Sequence, residues 1–112
     1  MNKLKYKSIR KLALEKFHKQ IINLFSYKIK EIKIFGSTAT GKDSFDSDID
    51  VFILVDEKDE KLREKIIEIS SDICIKYGVL ISPKIFTANH WNYIKKLNTL
   101  LYRNIEKEGI RL

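Results

Sequence analysis

The sequence predicts an α+β protein in which helices pack on one face of a small mixed β-sheet. Two apolar periodicities alternate along its 112 residues. One repeats about every 3.6 residues, as in amphipathic helices, and the other every second residue, as in strands. Glycines that favour turns separate or end these segments. The predicted order is helix, strand, turn, strand, helix, strand, helix, and the length suits one domain over residues 1–112.

A first helix is predicted over residues 3 to about 28, because apolar residues recur on one of its faces. They are Ile9, Leu12, Ala13, Phe17, Ile21, Leu24 and Phe25. The next segment, residues 31–35, alternates, with Ile32 and Ile34 on one face. It predicts a strand that runs directly into Gly36.

Residues 43–47 form a predicted polar loop, after which residues 48–55 predict a second strand. Its apolar run occupies both faces, which indicates a central strand. A second long helix is expected over residues 57–77, with Asp56 as its N-cap and Gly78 ending it. Its predicted core stripe is Leu62, Ile66, Ile69, Ile73 and Tyr77.

A third strand is predicted over residues 79–86, where Pro83 favours an edge position or a bulge. Thr87 is a candidate cap for the last helical region, which we expect to be broken into two pieces. The residues expected to face inward are Trp91, Ile94, Leu97, Leu101 and Ile105. Gly109 ends this region, and Ile110 is expected to fold back over its last turn.

The composition, 44% hydrophobic and 33% charged, is that of an ordinary soluble globular protein. The single cysteine, Cys74, excludes a disulfide within the chain and favours a reducing compartment, and its periodic setting predicts a small buried hydrophobe. No stretch approaches the roughly 20 apolar residues of a membrane span, and the charged N-terminus lacks the apolar core of a signal peptide. We therefore expect a cytoplasmic protein with no membrane partner.

The net charge of +7 is concentrated at the N-terminus. Residues 1–35 hold ten Lys or Arg and two acidic residues, whereas residues 36–112 hold twelve and thirteen. Such a basic helix can attract nucleic acid, a nucleotide or an acidic partner protein. The segment lacks the interleaved arginines and aromatics of base recognition, so a solvated lysine-rich face is favoured over a nucleic-acid surface.

The candidate functional site lies between residues 36 and 55. Asp48 and Asp50 are two residues apart at the head of a strand, so both carboxylates point to the same face. Their repulsion is relieved by a cation, and hard oxygen ligands suit Mg2+ bound together with substrate phosphates. Gly36 and Ser37 offer the other half of such a site, because glycine lets backbone N–H groups approach phosphate oxygens and serine adds a hydroxyl.

Two other motifs overlap the same stretch, and each lacks a residue that its pattern requires. A phosphate-binding P-loop requires Ser or Thr after Lys42, where the chain has Asp43, and it requires a long helix where a strand is predicted. A calcium-binding EF-hand loop requires glycine at its sixth position, where the chain has Val51. A purely structural interpretation, with a turn glycine and solubilising aspartates, leaves two acidic residues at alternate strand positions unexplained.

These residues resemble the minimal nucleotidyltransferases of the DNA polymerase beta superfamily, whose motif is G-S, ten intervening residues and D-x-D. Residues 36–41 are also similar to the G-S-x-A-x-G turn of that family, and the resemblance extends along essentially the whole chain. It implies the polymerase-beta-like fold and transfer of a nucleoside monophosphate from ATP or another NTP. Asp48 and Asp50 would be catalytic and hold Mg2+, and Gly36 and Ser37 would bind the nucleotide.

The resemblance also implies a partner. Family members of this size often form a toxin–antitoxin pair with a HEPN-type toxin, in which the nucleotidyltransferase is the antitoxin and adenylylates the toxin. A complex of this chain with such a protein is therefore expected.

The chain departs from the family pattern on the third predicted strand. Active members generally carry a third carboxylate there, whereas residues 79–86 contain no acidic residue and Lys84 stands near the expected place. An ammonium there can bind triphosphate or neutralise an aspartate but cannot ligate Mg2+; a solvent-facing edge-strand lysine is the other interpretation. Two hypotheses remain: an NMP transferase acting on a partner protein, and a catalytically weak antitoxin that neutralises its partner by binding.

Overall fold

The computed structural model describes residues 3–112, with side chains from residue 7 onward, and contains five helices and four strands in this range. The helices are α1 (Lys3–Phe25), α2 (Ser37–Thr40), α3 (Glu60–Tyr77), α4 (Ala88–Lys96) and α5 (Leu100–Glu108). The strands are β1 (Ile29–Phe35), β2 (Ile49–Val55), β3 (Ile81–Thr87) and β4 (Ile110–Arg111). Over this range, none of the helices combines the length and the apolar character needed to cross a membrane.

The four strands form one mixed sheet in the order β3-β2-β1-β4, which confirms the predicted α+β class. β1 runs antiparallel to both β2 and β4, whereas β2 and β3 are parallel. In this register Asp50 lies between Phe35 of β1 and Ser82 of β3. The predicted central position of the second strand is confirmed, and its first residues meet both neighbouring strands.

The larger core lies between the sheet and the two long helices, α1 and α3. Alternation sends every second residue of β1 and β2 to this face, where the apolar stripes of the two helices cover them. Its buried members are Ala13, Phe17, Ile21, Ile32, Ile34, Ile49, Val51, Ile53, Val55, Leu62, Ile66, Ile69, Ile73, Val79 and Ile81. Asp50 falls on the opposite face because it alternates with Ile49 and Val51.

A smaller cluster lies on that opposite face of the sheet. Phe35 and Phe52 are buried there under Trp91 of α4 and Ile105 of α5. The rings of Phe52 and Trp91 lie 4.6 Å apart and are tilted, a favourable aromatic arrangement. This cluster leaves the beginning of β2 uncovered, so the candidate carboxylates stand at its rim.

Several predicted element ends, caps and strand positions are confirmed. Gly78 ends α3 in the left-handed conformation, with φ of 68°. The hydroxyl of Thr87 accepts a hydrogen bond from the backbone N–H of His90 and caps α4. Pro83 lies in β3, which is an edge strand as expected. The last helical region is broken, with Asn98 at φ of 50° between α4 and α5.

The predicted N-cap of the second long helix was wrong. α3 begins at Glu60, and Asp59 caps it by accepting a 3.0 Å hydrogen bond from the backbone N–H of Leu62. Asp56 is exposed and pairs with Lys30 instead. The helix starts later because Leu62 is its first residue that reaches the core, and the cap stands three residues before it.

Four predicted core positions also differ. Leu97 is 57% exposed, because the break at Asn98 turns it away from the sheet. Leu12 and Leu24 are exposed as well, at 41% and 46%. Ile110 does not fold over α5; it pairs with Ile34 in β4, a strand too short for its pattern to predict.

Candidate functional site

Gly36 brings the turn after β1 against the carboxylate of Asp50. Its backbone has φ of 72° and ψ of −152°, a conformation that is essentially restricted to glycine. A Cβ atom at this position would lie 2.7 Å from Asp50 Oδ2. The missing side chain is therefore what allows the G-S turn and the D-x-D strand to meet.

The turn continues into α2, a single helical turn beginning at Ser37. Its first backbone N–H groups lack a partner within the helix, and Gly36 has no side chain with which to cap them. Gly41 closes the turn in the left-handed conformation, and the N–H of Lys42 donates to the carbonyl of Ser37 at 2.9 Å. Ser37 thus lies half-buried on a closed backbone loop whose free N–H groups suit phosphate oxygens.

The two aspartates occupy one patch in different environments. Asp48 is exposed just before β2, whereas Asp50 is half-buried as the second residue of the strand. Burial raises the pKa of Asp50, the charge of Lys84 opposes this rise, and the charge of Asp48 adds to it. The structure therefore brings together Gly36, Asp48 and Asp50, as their spacing in sequence predicts.

The donor set of this patch fits a hard divalent cation. The two carboxylates lie on the same side of the chain in one patch, and a neighbouring positive charge favours the ionised form of the half-buried Asp50, which burial otherwise disfavours. Over residues 7–112 no group of three or more His, Cys, Asp or Glu side chains is placed to hold a metal. A pair of carboxylates such as Asp48 and Asp50 is sufficient for Mg2+, because this ion takes waters and substrate phosphates as its other ligands.

β3 supplies the third side of the patch. In the parallel register Ser82 lies beside Asp50, and Lys84 lies beside Phe52 on the same face of the sheet. The Nζ of Lys84 donates a 3.1 Å hydrogen bond to the hydroxyl of Ser82, and its charge acts on Asp50. A hydroxyl and an ammonium, rather than a carboxylate, thus face the aspartates from this strand.

Arg10 of α1 belongs to the same region and was missed in the sequence. Its side chain is only 6% exposed, and its guanidinium donates hydrogen bonds to Thr38, Asp43 and the carbonyl of Ser47. A signal was present, because Arg10 lies three residues before Ala13 on the face of α1 that contacts the core. Charge alone assigned it to the solvated basic face, and only the folded chain shows its partners.

Comparison with known proteins gives consistent matches over most of the chain. The family model described as nucleotidyltransferase domain matches residues 14–112. A Methanocaldococcus jannaschii protein named as a protein adenylyltransferase is 35% identical over 100 residues, which cover 88% of this chain and 94% of that protein. A second protein of the same organism and with the same kind of name is 31% identical over 97 residues, covering 87% and 91%.

Solved structures share the fold at low sequence identity. A crystal structure named as a nucleotidyltransferase from Sulfolobus solfataricus has a TM-score of 0.59 at 16% identity, over 96% of this chain and 83% of that one. A toxin–antitoxin structure with AMP-PNP has a TM-score of 0.54 at 19% identity, over 85% and 68%. At these identities the likeness concerns the fold.

Proposed function

Because the chain belongs to the nucleotidyltransferase domain family, we propose that it transfers a nucleoside monophosphate, AMP in the first instance, from an NTP to a hydroxyl group of a partner protein. The names of the two Methanocaldococcus jannaschii relatives support a protein acceptor and ATP as the donor. The observation that carries the proposal is the contact of Gly36 with Asp50, since it joins a phosphate-binding turn to a carboxylate pair.

In this proposal the residues of the patch divide the binding of phosphates and metal among them. The backbone N–H groups that follow Gly36, together with the hydroxyl of Ser37, hold the outer phosphates of the nucleotide. Asp48 and Asp50 would hold Mg2+, and that ion would neutralise charge on the phosphates of the nucleotide. Lys84, on the edge of the patch, binds the triphosphate or balances the charge of Asp50.

The proposed reaction is a displacement at the α-phosphorus. The acceptor hydroxyl oxygen forms a bond to that phosphorus, and the bond from it to the bridging oxygen of the β-phosphate breaks. Pyrophosphate leaves, and the hydroxyl proton passes to solvent. The chain contributes by aligning the nucleotide between the turn and the aspartates. It thereby lowers the barrier through orientation of the reacting groups and electrostatic stabilisation of the transition state.

We further propose that the acceptor is a HEPN-type toxin and that this chain is its antitoxin. The fold neighbour named as a toxin–antitoxin with AMP-PNP supports a toxin as the partner and the use of an adenine nucleotide. The HEPN type of that toxin is what the family resemblance implies. The open rim at the start of β2 is compatible with a large acceptor, because α4 and α5 cover only the further part of that face.

A catalytically weak antitoxin that acts by binding is the second candidate. The observation that favours it is the β3 side of the patch, where Ser82 and Lys84 stand in place of an acid. The two candidates differ in whether label moves from ATP to the partner.

The test incubates the protein with Mg2+, ATP labelled in the α-phosphate, and the HEPN-type product of a neighbouring gene. We expect label on the partner with the wild type and none with Asp48→Ala, Asp50→Ala. The matched control is Asp56→Ala, Asp72→Ala, which removes two exposed acids away from the patch. Equal labelling by the site variant and the control would exclude the proposed catalytic residues.

Absence of label with a bound and inhibited partner would support the binding antitoxin. In that case Lys84→Asp tests the cause, because it places a carboxylate on β3 beside the two aspartates. Label transfer gained by this variant would assign the weak activity to the missing acid, whereas continued inactivity would place the cause elsewhere.

A further inference from the structure

Arg10 is an unusual residue of α1, because its charged group is enclosed by protein. Within the part of the chain whose side chains are described, the buried polar or charged residues are Arg10 and Ser70. The neighbouring basic residues of α1, Lys7 and Lys11, are exposed. A guanidinium is withdrawn from water only where fixed acceptors replace the water, so its partners indicate what it does.

Its three partners come from the two halves of the candidate site. Arg10 Nη2 donates to Thr38 Oγ1 at 3.2 Å, and Thr38 follows Ser37 in α2. Nε donates to Asp43 Oδ2 at 2.9 Å, at the start of the loop between α2 and β2. Nη1 donates to the carbonyl of Ser47 at 2.6 Å, in the peptide unit that leads into Asp48.

The loop between these contacts has internal hydrogen bonds of its own. The N–H of Ser44 donates to Ser47 Oγ at 2.9 Å, and the N–H of Ser47 donates to the carbonyl of Ser44 at 3.2 Å. Arg10 therefore holds this hydrogen-bonded loop at both ends, at Asp43 and at Ser47, and Ser47 directly precedes Asp48. The planar, rigid guanidinium consequently sets the distance between the G-S turn and the first aspartate.

We propose that Arg10 is a positioning residue that holds the G-S turn (residues 36–41) and Asp48 in the geometry that binds nucleotide. The inference rests on the proposed function, since it concerns the same site. Without the guanidinium, the loop samples other arrangements. The apparent nucleotide affinity then falls in proportion to the fraction of molecules whose loop keeps the arrangement that binds nucleotide. Lysine does not replace it, because a single ammonium on a flexible stem cannot reach three acceptors in fixed directions.

Arg10→Met keeps an unbranched apolar stem and removes the guanidinium with every donor, and Arg10→Lys keeps the charge. Lys11→Met is the matched control, because it removes an exposed positive charge from the next position of the same helix. Two readouts are needed: calorimetric binding of AMP-PNP with Mg2+, and amide hydrogen exchange of the nucleotide-free protein. The second does not depend on any nucleotide chemistry.

We expect Arg10→Met to weaken AMP-PNP binding about 10- to 100-fold, as supporting residues around metal sites do, with Arg10→Lys intermediate and Lys11→Met unchanged. Exchange is expected to accelerate over residues 37–48 while α3 and the central strands keep their protection. A variant that only lost stability would bind normally in its folded fraction and exchange faster throughout, and that result would overturn the proposal.

The same data separate this inference from the proposed function. If the wild type does not bind AMP-PNP, the nucleotide function fails, and local exchange in Arg10→Met still decides whether Arg10 holds the loop. Unchanged exchange and unchanged affinity would overturn the positioning role. Should Arg10→Met not fold, Thr38→Val removes one of the three bonds at similar shape, and the same local acceleration is expected from it.

Discussion

At the scale of single residues, Gly36 carries the geometry on which the site depends. Gly36→Ala places a methyl group 2.7 Å from Asp50 Oδ2 and forces a side chain into a backbone region reserved for glycine. Gly41→Ala is the matched control, because Gly41 also has positive φ, 76°, but a Cβ there meets nothing within 4 Å. We expect strain of about 1–3 kcal/mol in Gly36→Ala and of about 1 kcal/mol in Gly41→Ala.

Chemical denaturation measures the two losses, and AMP-PNP titration measures the site. Gly36→Ala is expected to lose nucleotide binding in addition to stability, whereas Gly41→Ala is expected to retain most of it. Equal binding losses in the two variants would show that the approach of Gly36 to Asp50 is not required.

Asp50 is expected to make stability depend on pH in the direction opposite to an ordinary surface acid. Burial raises the pKa of Asp50 in the folded state above its unfolded value. Its contribution is therefore fully present below the unfolded pKa and is lost as the pH rises through the folded pKa. Asp50→Asn removes this loss, so the metal-free variant should gain stability over the wild type at neutral pH but not at acid pH.

Urea denaturation at several pH values checks this prediction, with Asp72→Asn as an exposed-acid control on α3. A gain in Asp50→Asn that is the same at every pH would contradict it. The expected gain would show that ionised Asp50 lowers the stability of the metal-free protein, as functional groups in binding sites commonly do.

At the scale of elements, Asp59 determines where α3 begins. Its Oδ1 accepts from the N–H of Leu62, and its Oδ2 accepts from Lys28 Nζ at 2.6 Å. The hydrogen bond from Lys28 is the main cause that lowers the pKa of Asp59. Stability from this group is therefore present above its unfolded pKa and is lost as the pH falls through the lower folded value.

Two variants separate the cap from the ion pair. Asp59→Asn keeps a capping oxygen and loses the charge, so its stability should depend less on pH below about 4. Asp59→Ala loses both and should lower Tm by about 5 °C at neutral pH. Thermal unfolding followed by circular dichroism measures both, and identical curves for the two variants would show that Asp59 does not act as a cap.

At the scale of the whole molecule, the two faces of the sheet should differ in stability. The face under α1 and α3 holds most of the buried apolar residues, whereas the face under α4 and α5 holds a cluster of Phe35, Phe52, Trp91 and Ile105. We therefore expect α4 and α5 to open locally at a lower free energy than the rest.

Ile105→Ala and Ile66→Ala provide the comparison, because both side chains are 0% exposed. Each should cost about 2–5 kcal/mol. Ile105→Ala should accelerate hydrogen exchange first in α4 and α5, whereas Ile66→Ala should weaken the whole sheet. Uniform acceleration in both variants would mean that the molecule opens only as one unit.

Much of the fold could be predicted because its signals are local. Periodicity placed both long helices, alternation indicated the first strand and an apolar run the second, and Gly78, Thr87 and Pro83 marked ends and an edge that the structure confirms. The candidate site residues were also found locally, since their spacing of two puts Asp48 and Asp50 on one face of a strand. Their catalytic, nucleotide-binding and metal-binding roles stay predictions.

The local sequence by itself thus determined the α+β class, the succession of elements before β4, and the G-S and D-x-D halves of the site. The tertiary structure decided what depends on contacts between distant segments: the approach of Gly36 to Asp50, the place of Lys84 beside the aspartates, and the enclosure of Arg10. A pattern of neighbouring residues does not specify how far apart two elements lie in the folded protein. These contacts come into being only when the sheet register and the packing of α1 bring separate segments together.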